Sequence, residues 1–301
     1  MPYRLRKAEP VPQGIIRIVR EQIGRAIREL TDPTLDRHAA VHQVRKRFKK
    51  VRAALRLVRA ELGETYAGEN AWFRDSARTL SQVRDAEAMI ETLEALRERF
   101  REELDAAGFS TVRQALVERR ERIAREEAGL EDRIAQLVRD LRSARRRAAR
   151  WPLAADGFGA LDEGLGLTYR RGRRALARAY EDPTPENFHE WRKRVKYHWY
   201  HIRLLRCVWP PVMDGYRTAV RRLADLVGQI HDLDVLRQTL LGEPECFGAG
   251  TRLKPLLKLV DRRQAELEAE ARPLGRRVFA EKPADFRRRI GRYWEAWQDE
   301  G

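Results

Sequence analysis

The chain has 301 residues, 43% of them apolar and 36% charged, and carries a formal net charge of +16 at pH 7. The apolar fraction suffices for a packed core, so disorder is not expected, and two cysteines, Cys207 and Cys246, allow neither a disulfide framework nor a zinc site of paired cysteines. Because no apolar run reaches the roughly 18 residues of a membrane span and the basic N-terminus lacks the apolar core of a signal peptide, we expect a cytoplasmic protein without membrane contact.

Sparse glycine and proline, with abundant Ala, Leu, Arg and Glu, favour an all-α fold. Four helical segments are predicted in the first half of the chain, and the third has a candidate break at Arg84 and Asp85. The ranges of these four segments are about 13–30, 38–62, 69–106 and 110–150.

The second half is predicted to form four further helical segments, at about 158–181, 185–207, 212–241 and 252–298. Pro273 and Pro283 are expected to interrupt the last of them, because proline lacks the amide hydrogen that a helix interior uses. The segment WPLAADGFG at 151–159 is the best linker, and it divides the chain into residues 1–150 and 151–301. We expect two four-helix bundles.

The two halves repeat one another at an offset of 147 residues. HQVRKRFKKVR at 42–52 falls on HEWRKRVKYHW at 189–199, and LSQVRDAE at 80–87 falls on VGQIHDLD at 227–234, without insertion between the two blocks. A period near 150 residues is much longer than that of any solenoid repeat. The sequence therefore predicts an internal duplication.

The first block of each half reads as a helix with two stripes at alternating spacings of three and four residues. An apolar seam contains Val41, Val44, Phe48, Val51, Leu55, Val58 and Leu62 in the first copy, and Phe188, Trp191, Val195, Ile202 and Leu205 in the second. A polar stripe lies about 100° away. It contains His42, Arg45, Lys49, Arg52, Arg56 and Arg59, and in the second copy His189, Arg192, Lys196, Arg203 and Arg206.

A charged stripe is usually only a solvated face, and an arginine-rich genome would explain part of the charge. Exposed helices normally interleave acids that form i,i+4 pairs, yet residues 41–60 contain no acid and residues 188–207 contain only Glu190. The stripe would extend about 26 Å at 1.5 Å per residue, which suits a linear polymer of phosphates. Aromatic residues are few on the stripe, so base stacking is poorly provided and nucleic acid is the less favoured partner.

The HDLD sequence invites a second interpretation, a metal-dependent phosphohydrolase that uses His231 and Asp232. The repeat argues against it, because the equivalent pair is Arg84 and Asp85 and arginine does not replace a metal-binding imidazole. We expect Arg84 and His231 to donate to an anion while Asp85 and Asp232 orient basic neighbours, with no metal and no cofactor. His42 and His189 have no accompanying nucleophile or base, which favours binding over catalysis.

These residues, HQVRKRFKKVR and HEWRKRVKYHW with RDAE and HDLD after them, resemble the CHAD family, the conserved histidine α-helical domain. The resemblance implies two four-helix bundles related by a pseudo-twofold axis, with a basic cleft or pore at their junction. It also implies binding of inorganic polyphosphate, and some members associate with polyphosphate granules. Phosphate or sulfate ions would occupy the same site.

The motif residues carried over by position are His42, Arg45, Lys49 and Arg52, then His189, Arg192 and Lys196. Trp199 stands where the family often has a basic residue, so we expect weaker binding by the second copy. Tyr169 and Arg173, in LTYRRGRRAL, resemble the basic helix that opens the family's second repeat. His198 and His201, three residues apart, are expected to pack or to contact the anion.

Overall fold

The computed structural model describes residues 3–78, 82–103, 106–126, 129–247 and 253–300, with side chains throughout except at 82–85, 106–107 and 126. Within these ranges the chain is helical and has no strand. The helices of the first half are α1 Val11–Thr31, α2 Arg37–Leu57, α3 Arg59–Leu62, α4 Glu64–Arg78, α5 Gln82–Arg99, α6 Ala106–Glu126 and α7 Leu130–Ala148. Those of the second half are α8 Gly159–Glu181, α9 Pro185–Leu204, α10 Pro210–Gly242, the short 3₁₀ helix Pro244–Phe247, α11 Leu253–Val278 and α12 Pro283–Asp299.

Several predicted helices are divided in the structure. The predicted helix 38–62 ends at Leu57, because Val58 leaves the helical conformation with φ −105° and ψ 26° before α3 begins. The predicted helix 110–150 is interrupted before α7, where Gly129 has a φ of +76°, a left-handed conformation that glycine adopts without strain. The predicted interruption at Pro273 is wrong, since α11 continues through it, whereas Pro283 begins α12.

The two motif helices begin at capped positions. The Asp36 carboxylate accepts a hydrogen bond from the Ala39 amide at 2.9 Å at the start of α2. At the start of α9 the Thr184 hydroxyl accepts from the Asn187 amide at 3.3 Å, and Pro185 occupies the first helical turn. Each cap satisfies one of the unpaired amides at a helix start and so fixes where the motif residues lie on the helix.

The predicted apolar seams are confirmed as core. Every seam residue of both copies is buried, and the largest of them, Phe48 and Trp191, are 1% and 0% exposed. Burying one such side chain contributes about 1.5–3 kcal/mol relative to leaving it in water. Because each seam faces inward, the adjoining polar stripe is placed at the edge of the core.

Contacts between the two halves involve helices from both ends of each half. In the first half α1 packs on α2 and α7, and α2 on α4; in the second, α8 packs on α9 and α12, and α10 on α9 and α11. Across the halves, α2 packs on α8 and α9, and α5 packs on α10 and α11. The two motif helices are therefore in direct contact.

Gly164 permits the closest approach between the halves. A β-carbon added there would lie 2.0 Å from the Leu57 carbonyl oxygen and 2.5 Å from that of Arg56, both backbone atoms. Only a residue without a side chain allows α8 to pass this close to the end of α2.

His198 and His201 belong to the core of the second half. The Tyr216 hydroxyl donates to the Val278 carbonyl at 2.9 Å, so it accepts from His198 Nε2 at 2.8 Å. His201 Nε2 donates to the Ala53 carbonyl of α2 at 2.9 Å. Burial lowers the pKa of His198 to about 3 and that of His201 to about 4, so both rings are neutral packing elements. In the described part of the chain, no helix has the length and apolar character needed to cross a bilayer.

Candidate anion-binding site

A pair of histidines from α9 and α10 lies at the centre of the site. His189 Nδ1 is 3.2 Å from His231 Nδ1, and the ring centroids are 4.5 Å apart. One ring must donate through Nδ1 and the other accept, so a neutral accepting ring carries its proton on Nε2. One imidazole of the pair therefore has an N–H available for an anion.

Cations from two helices surround this pair. Burial, then the charges of Arg192, His189 and Lys49, lower the pKa of His231 to about 3. Burial, followed by Lys193 and Arg192, also lowers the pKa of His189. Both rings are thus neutral near pH 7, and the positive charge of the site comes from the lysine and arginine side chains.

The first half of the chain contributes Lys49 to the cations that act on the histidine pair. It lies on α2, yet its ammonium group is near enough to act on His231 of α10. One cation of the α2 stripe therefore acts on the cluster formed by α9 and α10.

Lys196 is placed by acids on α10. Its ammonium is 3.6 Å from Asp225 Oδ1, and burial lowers its pKa while Asp225 and Asp232 oppose that shift. Asp232 thus acts on a basic neighbour, as expected for a supporting acid. Asp225 was missed by the sequence analysis, although it lies seven residues before Asp232 and therefore on the same face of α10.

The later part of the α2 stripe faces a different set of side chains. Arg52 Nε donates to Asn70 Oδ1 at 3.2 Å, and the Arg56 guanidinium lies 3.9 Å from the centroid of the Tyr197 ring. Burial lowers the pKa of Arg56, and Arg194 of α9 adds to that effect.

Arg59 extends this basic group towards α8. Its guanidinium lies 4.9 Å from the Tyr66 ring centroid, and its charge, after burial and the charge of Arg194, lowers the pKa of Arg171. Arg171 and Arg194 were not predicted as site residues. No sequence signal marked Arg194: it matches Arg47 at the 147-residue offset, which was not a predicted site residue, and in the structure it pairs with Glu190.

Several predicted contacts lie elsewhere. Tyr169 is fully buried, stacks on Phe286 with centroids 4.2 Å apart and accepts from the Glu281 amide, so the expectation that it contacts ligand is corrected. Burial raises its pKa to about 12. Arg173 is exposed on α8, where its charge acts on Tyr169.

The far end of the α9 stripe is occupied by aromatic contacts. Arg203 lies 4.8 Å from the Trp199 ring centroid and 5.4 Å from that of Tyr3, and Arg206 is its neighbour. Trp199 therefore packs against a cation of the stripe. The side chains of Arg84 and Asp85 lie outside the described part of the chain.

His42 has a more acidic setting than His189. It lines a cavity of about 540 Å³ between α2, α5 and α6, together with the guanidinium of Arg120 and a larger number of carboxylates, those of Asp36, Glu87, Glu91 and Glu121. Carboxylates beside His42 disfavour a bound anion. The sequence predicts weaker binding by the second copy, because of Trp199, whereas these neighbours of His42 favour weaker binding by the first copy.

The donor set around His231 does not suit a metal ion. In the described ranges, no three His, Cys, Asp or Glu side chains are grouped as metal ligands, and the cations that lower the pKa of the ring are Arg192 and Lys49. These cations would repel a divalent metal and attract an anion.

Comparison with known proteins identifies a family. No curated protein matches the chain significantly. A family model described as the CHAD domain matches residues 17–241, which include both motif helices and the histidine pair. The chain therefore belongs to the CHAD domain family.

Proposed function

We propose that this chain binds inorganic polyphosphate in a basic cleft between its two halves and catalyses no reaction on it. The observation that carries the proposal is the convergence of Lys49 with Arg192 on the neutral pair His189 and His231. Ammonium, guanidinium and imidazole donors together match the oxygens of phosphates, and phosphate or sulfate ions would bind the same donors. Accumulation at polyphosphate granules would follow from this binding.

An internal duplication with a pseudo-twofold axis fits the helix bounds. Subtracting 147 from the bounds of α9, 185–204, gives 38–57, and α2 spans 37–57. The same operation on α8, 159–181, gives 12–34, against 11–31 for α1. The two copies of the duplicated unit would be residues 1–150 and residues 151–301.

The pairing of α2 with α9 is also compatible with a twofold axis. The Arg56 guanidinium lies on the Tyr197 ring. At the 147-residue offset, Arg56 corresponds to Arg203 and Tyr197 corresponds to Lys50, and the charges of Arg203 and Lys50 act on each other. His201 corresponds to residue 54 at the same offset, and its ring donates a hydrogen bond to the neighbouring residue, Ala53. Because equivalent positions meet only near a twofold axis, the axis would pass close to this contact. A cleft on such an axis would be lined by both stripes.

A binding role without catalysis is supported by the state of the reactive groups. Burial raises the pKa of the Cys207 thiol to about 11, and its Sγ donates to the Leu5 carbonyl, so it is a poor nucleophile. The cations around His231 disfavour the metal ion that a phosphohydrolase would need. Nucleic acid is suggested by net charge alone, and among the described residues Trp209 is the single exposed aromatic side chain on which a base could stack.

Competition between polyanions tests the proposal. Long-chain polyphosphate is expected to displace a labelled polyphosphate from the protein at a lower phosphate concentration than duplex DNA or RNA does. Equal or better displacement by either nucleic acid would make the protein a nucleic-acid binder. Phosphate release that requires added divalent metal, and that disappears in Asp232→Ala, would overturn the non-catalytic part of the proposal.

A further inference from the structure

The two histidines of the cleft are joined through one nitrogen of each ring. His189 of α9 and His231 of α10 face each other with their Nδ1 atoms 3.2 Å apart, a hydrogen-bond distance, and their ring centroids 4.5 Å apart. One hydrogen lies between the two Nδ1 atoms, because one ring must donate and the other accept. The protons of the two rings are therefore coupled, and the pair titrates as one unit.

In the neutral pair the two Nε2 atoms are unequal. The ring that donates through Nδ1 has its only proton there, so its Nε2 is a bare acceptor, whereas the accepting ring carries its proton on Nε2. Among the described residues, no protein group hydrogen-bonds to Nε2 of His189 or of His231. A phosphate polymer lying against both rings would meet one N–H donor and one lone pair, and the lone pair repels phosphate oxygens. The neutral pair is thus an incomplete anion site.

One added proton completes the site. Placed on the bare Nε2, it leaves the hydrogen bond between the Nδ1 atoms intact and makes that bond charge-assisted. The pair then has two Nε2–H donors and a charge of +1. A second proton would put a hydrogen on each of two nitrogens only 3.2 Å apart and so break their contact. The geometry therefore accommodates one extra proton and excludes a second.

The charges of α9 and α2 keep the extra proton off the free protein. The charged groups that act on the pair are Lys193, Arg192, Glu190 and Lys49. Burial and then the cations of this set lower the pKa of His189, and they lower that of His231 to about 3. Glu190 opposes the shift of His189, but it is itself paired with Lys193 and Arg194.

The helices packed on the other side of His231 add acids at a greater remove. Asp232 follows His231 on α10, and Glu91 of α5 lines a cavity together with Asp232. The side chains of Arg84 and Asp85 of α5 lie outside the described part of the chain, and the described part of α11 places no charge among those acting on the rings. A bound polyanion would be the main negative charge at the pair.

We propose that the pair formed by His189 and His231 takes up one shared proton when polyphosphate binds in the cleft. This coupling rests on the proposed function, since the polyanion is the charge that stabilises the protonated pair. The pKa of the pair is low in the free protein and is raised by bound phosphates. The gain in affinity is therefore absent above the raised pKa, grows as the pH falls through it and levels off below the pKa of the free pair.

Titration calorimetry in two buffers of different ionisation enthalpy measures the proton uptake. The probe is long-chain polyphosphate, whose internal phosphates are strong acids that do not titrate near neutral pH. With the pKa of the bound pair returned to about 6.5, the ordinary histidine value, uptake should be about 0.8 proton at pH 6 and affinity about eightfold higher at pH 5.5 than at pH 7. Binding without proton uptake would overturn the coupling and leave the binding function standing, whereas a protein that does not bind polyphosphate would overturn the function. Uptake of two protons would contradict the shared hydrogen.

A double substitution assigns the proton to the pair. His189→Gln combined with His231→Gln keeps polar side chains but removes both imidazoles, so proton uptake should fall to near zero and affinity should no longer rise between pH 7 and pH 5.5. His38→Gln is the matched control, because His38 lies on α2 beside the acidic cavity and outside the histidine pair. Uptake that persists in the double variant would assign the proton to another group and contradict the proposal.

Nitrogen-15 NMR of the histidine rings tests the arrangement without any substitution. Long-range proton–nitrogen spectra distinguish an imidazole protonated on Nδ1, one protonated on Nε2 and an imidazolium. In the free protein at pH 7 we expect one ring of the pair in each neutral form, and with saturating polyphosphate at pH 5.5 we expect both Nε2 atoms to carry hydrogen. Two rings protonated on Nε2 in the free protein would contradict the hydrogen bond on which the coupling depends.

Discussion

Replacing Arg45, Lys49 and Arg52 together by alanine is expected to weaken polyphosphate binding by about 100-fold. Each charged donor to a phosphate oxygen contributes about 1 kcal/mol or more, and three such losses multiply to this factor. Affinity should also depend less steeply on salt, because fewer counterions are released from the polymer. Helix content should be unchanged, since alanine is the best helix former. Binding measured by titration calorimetry at several salt concentrations gives both quantities.

The matched control is the triple alanine variant at Arg139, Arg142 and Arg146 of α7. These arginines are exposed, and among the described residues none of them pairs with a carboxylate, so the variant removes the same charge from a surface outside both motifs. We expect a loss several-fold smaller than that of the motif variant. An equal loss in the two variants would mean that diffuse charge, and no defined cleft, holds the polymer.

Gly164→Ala is expected to destabilise the protein by about 3 kcal/mol. The added methyl group would meet the backbone carbonyl oxygens of Leu57 and Arg56, which cannot rotate away as a side-chain end could. Overpacking of this kind costs about 1–3 kcal/mol, and the contact here falls at the upper end. The helix α8 would have to move away from α2, and the thermal unfolding midpoint should fall accordingly.

Gly215→Ala is the control for this substitution. Gly215 lies within α10, and a β-carbon there would meet no atom within 4 Å. Alanine should stabilise this helix by up to about 1 kcal/mol. If the Gly164 variant unfolded at the wild-type temperature, the close approach of α8 to α2 would be wrong.

The helices were predictable because a seam and a stripe at spacings of three and four residues define a helix and its faces. Two of the divisions of predicted helices were harder to foresee. Val58 is a seam residue that carries no helix-breaking signal, and Gly129 precedes α7 in a left-handed conformation within a stretch that reads as charged helix.

The residues of the site were less predictable than its helices, because the packing of α2 against α9 decides which basic side chains lie close together. Arg171 approaches Arg59 only through the packing of α8 on the short helix α3. Tyr169 shows the opposite error: the motif carried it over as a contact, although Leu165, Gly172 and Leu176 at helical spacing mark its face of α8 as core. A motif identifies related positions, and burial decides which of them reach a ligand.

Titration of the protein with polyphosphate of one defined chain length tests most directly whether both stripes form a single cleft. The account predicts one binding event per chain, weakened both by the alanine pair at Arg45 and Lys49 and by the pair at Arg192 and Lys196. Two separate binding events, each abolished by only one of these variants, would contradict it.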